Sequence, residues 1–271
     1  GTCAVARLSR EPPIIKRGLS GPSPKPAPAR VIQEETRSSW LTLAVAISGT
    51  GAWIFVHQST GWQTGLSIAL WLTILTCLLL HSLLCLLYRE AWRLSSLLLP
   101  YLLVLGILAI IWNQVPGKGL QGEIPLSWIG THIFVSIATY GLITMAAIAS
   151  LAATLKHRAI RSKKRTQLSS ILPPVAASEG LLMSLLLSSA VILAAGLITG
   201  MVALYFTSGQ LIAFNHKTIL TGAVFIVLVI LLVMHFKWGI RGKIATRLVL
   251  LAYLLLTLGY PGLKFVTDII L

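Results

Sequence analysis

Acidic side chains are the scarcest feature of this chain: Asp and Glu number 7 in 271 residues, against 22 Lys and Arg. None of them lies inside an apolar stretch. Glu90 and Glu179 sit beside Arg or at a helix start, and Glu123 and Asp268 fall in connecting or terminal segments. No carboxylate pair is placed for acid–base work, no proton relay crosses the apolar stretches, and no buried acid can orient a Ser–His pair. Hydrolysis and proton-coupled transport lose ground, and no enzyme activity is read from the chain. Cysteine is also scarce, with Cys3, Cys77 and Cys85 the full set. There is no CxxC pair and no CxxCH attachment site, so the chain carries no thiol redox motif and is not itself a c-type cytochrome. Cys77 and Cys85 read as inert thiols in apolar sequence. The ten-residue polar/apolar alternation of a membrane barrel is missing too.

What is abundant is apolar sequence, 56% of the residues with a mean hydropathy of +0.85. It falls into seven stretches, about 40–56, 64–87, 94–113, 126–155, 180–206, 218–236 and 245–263. A helix rises ~1.5 Å per residue, so ~20 residues cross a hydrocarbon core of ~30 Å. Backbone groups in lipid must be satisfied within the segment, which makes each stretch a helix. The expected fold is therefore all-α, a polytopic membrane bundle of seven transmembrane helices over residues 40–271. The first 39 residues hold six of the twelve prolines and no apolar core, and read as a disordered basic tail.

Basic residues give the orientation. Nineteen lie in the tail and in the segments after the second, fourth and sixth stretches; only Lys118, Lys217 and Lys264 lie on the opposite side. Basic loops stay cytoplasmic, which places the N-terminus inside and the C-terminus outside. The same rule accounts for the net charge of +15 without a nucleic-acid partner; the partner it implies is the bilayer. Trp62, Trp112 and Trp128 at outer ends, and Trp40, Trp92 and Trp238 at inner ends, form an aromatic belt. Gly196 and Gly200 make a GxxxG, and the fourth stretch is rich in Ala, so close packing of helices within one chain is expected.

The histidines are the remaining chemistry. His157 lies in a basic loop, His81 and His235 lie in spans near the inner side, and His57, His132 and His216 lie at the outer face. Each alone is more often structural; three at one face of so apolar a chain are a stronger signal. His132 opens the fourth span, and Ser136, Thr139, Tyr140 and Thr144 follow it on one helical face, a polar stripe that must face protein or a cavity. His216 stands where the sixth span begins. Asn215 can cap that helix, whose N-terminus favours a neutral, metal-ligating imidazole over imidazolium. Lys217 beside it can hold an anionic group such as a haem propionate.

Thr131-His132-Ile133 with Ser136 and Tyr140, Leu172-Pro173-Pro174, His216-Lys217-Thr218-Ile219-Leu220, Trp238-Gly239-Ile240-Arg241-Gly242-Lys243, and Gly259-Tyr260 through Val266 occur in an order and spacing that resemble the cytochrome c assembly (CcsA-like) membrane proteins, their YpjD/HemX-like branch in particular. The resemblance implies a multi-pass protein of the bacterial inner membrane that handles haem in cytochrome c biogenesis, with non-covalent haem as cofactor and cytochrome c maturation proteins as partners. Larger relatives flank a tryptophan-rich haem-presenting loop with outer-face histidines, and His132 corresponds to the first of these. The segment 207–215 has neither Trp nor Asp, so haem-synthase activity is not implied. The candidate cofactor residues are His132, His216, Lys217 and Tyr140, with His132 and His216 as ligands of haem iron. Two other functions are carried beside this one: a membrane partner that regulates haem biosynthesis or another membrane protein, and a small-solute permease. The lack of a half-to-half repeat weighs against the permease.

Overall fold

Long runs of Leu, Ile, Ala and Val bring no side-chain donors to their own backbone, so the chain satisfies its N–H and C=O groups along helix axes. The computed structural model describes residues 29–59, 63–88, 90–114, 118–119, 126–163, 171–209, 215–240 and 242–262. Among them seven α-helices follow in chain order: α1 (Ala29–Gln58), α2 (Leu66–Leu87), α3 (Ser95–Ile111), α4 (Leu126–Arg161), α5 (Val175–Ser208), α6 (His216–Trp238) and α7 (Lys243–Thr257). A two-residue antiparallel ladder, β1 (Gln63–Thr64) with β2 (Lys118–Gly119), pairs Gln63 with Gly119 and Thr64 with Lys118. The chain divides into Gly1–Leu41, which contributes the opening turns of α1, and Thr42–Leu271, which holds the bundle.

Among the described residues six segments are long and apolar enough to cross a membrane, one in each of the first six helices, the third taking in the 3-10 turn Ala91–Leu94 ahead of α3. The seventh has 15 residues and runs on into a π-helical turn, Leu258–Gly262. Together they extend ~30 Å at 1.5 Å per residue. The protein is a polytopic helical membrane bundle, as its apolar stretches predict.

Several helix starts and ends differ from the expected boundaries. Helix α1 begins at Ala29, ahead of the tail boundary at residue 39, because the next proline after Pro28 is Pro100 and Ala29 to Arg37 are mostly residues that helices accept; residues 1–28 lie outside the described residues. Helix α4 runs to Arg161, six residues past the predicted end, since Lys156 to Arg161 favour helix and place cations at its negative end. Helix α5 starts at Val175 behind Pro174, five residues ahead of the predicted start. Proline at a helix start costs nothing because the first N–H groups have no intrahelical partner. The expected cap at Asn215 is present: its side chain accepts from the Thr218 N–H at 3.0 Å.

In lipid, helix association depends on close fit and interhelical hydrogen bonds rather than on escape from water. Helix α4 is the hub. It forms the most extensive pair with α5 and also packs on α2, α3 and α7, while α6 packs on α7 and α5. Its contact face is built from small residues: Ala146, Ala149, Ser150 and Ala152 are fully buried. At Gly141 the approach is closest, for a Cβ there would lie 2.8 Å from Thr76 Cγ2 and 2.9 Å from Leu80 Cδ1. Hydroxyls tie the helices further. Ser67 donates to Ala109 O across α2 and α3 at 2.8 Å, and Thr154 meets Thr246 across α4 and α7 at 2.7 Å.

Candidate functional site

Hydroxyl groups can stand in an apolar helix if they bond back to carbonyls one turn earlier. Ser136 Oγ donates to His132 O at 2.7 Å and Thr139 Oγ1 to Val135 O at 2.9 Å. Thr73 of α2 does the same to Ala69 O at 2.8 Å. These residues, with His132 and Tyr140, line a cavity of about 290 Å³. Leu193 and Gly196 of α5, Thr221 of α6, Leu256 of α7 and Gly259 of the π-helical turn complete it. The polar stripe thus faces the bundle, and α6 borders the same space.

His132 is held from α5. Its Nδ1 lies 3.1 Å from Thr199 Oγ1, and one turn earlier Trp128 Nε1 donates to Thr199 O at 3.3 Å. The ring fits because Gly200 has no side chain: a Cβ there would lie 3.1 Å from His132 Cε1. At the other end of the stripe, Tyr140 is buried and its hydroxyl meets Thr257 Oγ1 at 3.2 Å. Thr257 donates to Tyr253 O at 2.8 Å, and Tyr253 pairs through its hydroxyl with Tyr101 at 3.0 Å. Three tyrosines from α3, α4 and α7 therefore stiffen one side of the cavity.

The other histidines have different surroundings. His216 is the first residue of α6 and is exposed; among the described residues it does not line the cavity. The Lys217 side chain lies outside the described residues. His57 stacks on Trp53 with ring centroids 4.8 Å apart. His81 is a buried core histidine bonded through Nε2 to Ser95 Oγ at 2.8 Å. His235 donates from Nδ1 to Ile240 O at 3.2 Å, closing the end of α6. His157 is exposed on the last turns of α4. Among the described residues no group of three or more His, Cys, Asp or Glu could hold a metal ion.

Of the residues in and around the cavity, the sequence reading singles out His132, Ser136, Thr139 and Tyr140 but not Thr199, Thr221, Thr257 or the second purpose of Gly196 and Gly200. A threonine in a span is a weak signal because it satisfies itself by bonding back. The usable clue is Gly196-Leu197-Ile198-Thr199-Gly200, a notch with a hydroxyl beside it.

Residues 63–271 match the family described as cytochrome C assembly protein. A 28.8 kDa protein in the nifR3-like 5′ region of Azospirillum brasilense is 50% identical over 232 residues, 86% of this chain and 86% of that protein. No solved structure matches.

Proposed function

The chain belongs to the cytochrome c assembly protein family, and we propose that within cytochrome c biogenesis it binds haem non-covalently through His132, as a haem-handling accessory of the bacterial inner membrane rather than an enzyme. The observation that carries this reading is that His132, alone among the described histidines, stands on the wall of the intramembrane cavity. The donor set fits the group. An imidazole is a common ligand of haem iron, and Ile133, Ile137, Leu193 and Leu256 supply apolar walls. Bound haem would bring an iron that accepts imidazole nitrogens.

The protein's own residues do the rest. Thr199 holds the His132 ring, Trp128 holds Thr199, and Tyr140 is tied to α7 through Thr257. In this proposal His216 supplies the second ligand from the start of α6, and Lys217 pairs with a propionate. A volume of about 290 Å³ lies just below the range of ligand pockets, ~300–1,000 Å³. That suits a ligand received and passed on, with maturation proteins as the recipients, better than one enclosed for good.

The test is a haem titration of the purified protein in detergent, followed by its visible spectrum. Wild type should give a six-coordinate, low-spin spectrum. His132→Ala should lower haem affinity at least tenfold and His216→Ala should remove the low-spin signature, whereas His157→Ala should change neither. A His132→Ala protein that binds haem like wild type refutes the reading.

A further inference from the structure

A hydroxyl has one proton to give, and that of Thr199 has a partner in its own helix. Thr199 Oγ1 donates to Gly196 O at 3.1 Å, the back-bond that threonines in helices commonly make. What Oγ1 then offers His132 is a lone pair. His132 Nδ1, 3.1 Å away, must supply the proton of that contact. In a neutral imidazole one nitrogen carries hydrogen and the other does not, so the proton on Nδ1 leaves Nε2 bare. Among the described residues His132 Nε2 has no hydrogen-bond partner, and the residue lines the cavity.

We propose that Thr199 is a positioning residue which sets His132 in its Nδ1–H tautomer and so presents an unprotonated Nε2 to the cavity as a ligand for haem iron. Histidines that bind metals generally donate their other N–H to a fixed acceptor, which sets the tautomer and the ring orientation. Here that acceptor comes from a different helix. The grip is double, because Trp128, one turn before His132, donates to the carbonyl oxygen of the same threonine. Gly200 completes it by leaving open the space beside Cε1. The Gly196–Gly200 notch therefore admits the imidazole, and the threonine inside the notch reads its protonation. The ligation half of the proposal rests on the haem reading above; the tautomer half concerns the haem-free protein and stands apart from it.

The experiment uses the full chain, labelled with ¹⁵N-histidine and held in detergent without haem, above the pH at which imidazole ionises. Protonated and bare ring nitrogens resonate far apart, and comparison with His132→Gln assigns the signals. Wild type should show His132 with its proton on Nδ1. Thr199→Val, equal in size but unable to accept, should lose that preference, and Thr199→Ser should restore it. In haem titrations Thr199→Val should bind roughly 10–100-fold more weakly, the usual cost of losing such a partner, and Thr199→Ser should bind like wild type. A wild-type signal with the proton on Nε2, or a Thr199→Val protein whose His132 keeps its proton on Nδ1, overturns the proposal. If the tautomer responds as expected while His132→Ala still binds haem normally, the haem reading fails and Thr199 remains the residue that orders the ring.

Discussion

Single glycines decide how closely these helices approach, and Gly141 is the sharpest case. An alanine there would place its Cβ 2.8 Å from Thr76 Cγ2, and overpacking a fitted core costs about 1–3 kcal/mol. The helix-propensity gain of Gly→Ala, about 1 kcal/mol, offsets part of that. Gly141→Ala should therefore lower the thermal transition by a modest amount, and Gly106→Ala, whose nearest neighbour would be 3.9 Å away, should leave it unchanged or raise it. Adding Thr76→Ser removes the clashing methyl and should recover part of the loss, a coupling visible in a double-mutant cycle. Additive effects of the two substitutions would show that α2 and α4 do not meet at this point. Residues of this scale are unevenly legible in sequence. His132 stands out because a polar stripe in an apolar span must face inward. Thr199 does not, because its meaning depends on which side chain arrives from α4.

Helices are legible where membrane boundary and helix boundary coincide, and less so where they part. The apolar stretch at 94–113 maps onto α3 at Ser95–Ile111, flanked by short 3-10 turns. By contrast α4 has 36 residues, ~54 Å at 1.5 Å per residue, so it outruns the hydrocarbon; apolarity marks where it leaves lipid, and helix propensity carries it on. Helix α6 begins at a position set by chemistry instead. Asn215 accepts from both the N–H and the hydroxyl of Thr218, at 3.0 and 2.8 Å. Replacing it with Ala should destabilise that end by about 1 kcal/mol. Amide exchange across residues 217–219 should quicken several-fold in Asn215→Ala and stay near wild type in Asn215→Ser. Equal exchange in all three proteins would mean that tertiary packing, not the cap, fixes where His216 sits.

At the scale of the whole molecule, the bundle and the charge pattern bear on different questions. Packing around α4 fixes which helices are neighbours; it is indifferent to which end faces the cytoplasm. Orientation is an expectation from 19 basic residues against three, an asymmetry that would keep the basic loops inside. An odd number of crossings then puts the two termini on opposite sides, and α7 is the helix on which this depends. Its 15 residues fall short of a full span, and only with the π-helical turn to Gly262 does it reach ~30 Å. Arg247, exposed near its start, can snorkel to the inner interface. Single cysteines at 118, 163 and 268, in a background without Cys3, Cys77 and Cys85, test the arrangement with a membrane-impermeant thiol reagent on intact cells. Positions 118 and 268 should label from outside and 163 only after lysis. Labelling at 163 in intact cells would invert the whole protein and put the His132 end of α4 inside. Protection at 268 with 118 labelled would leave the first six crossings in place and show that α7 turns back before it reaches the outer face.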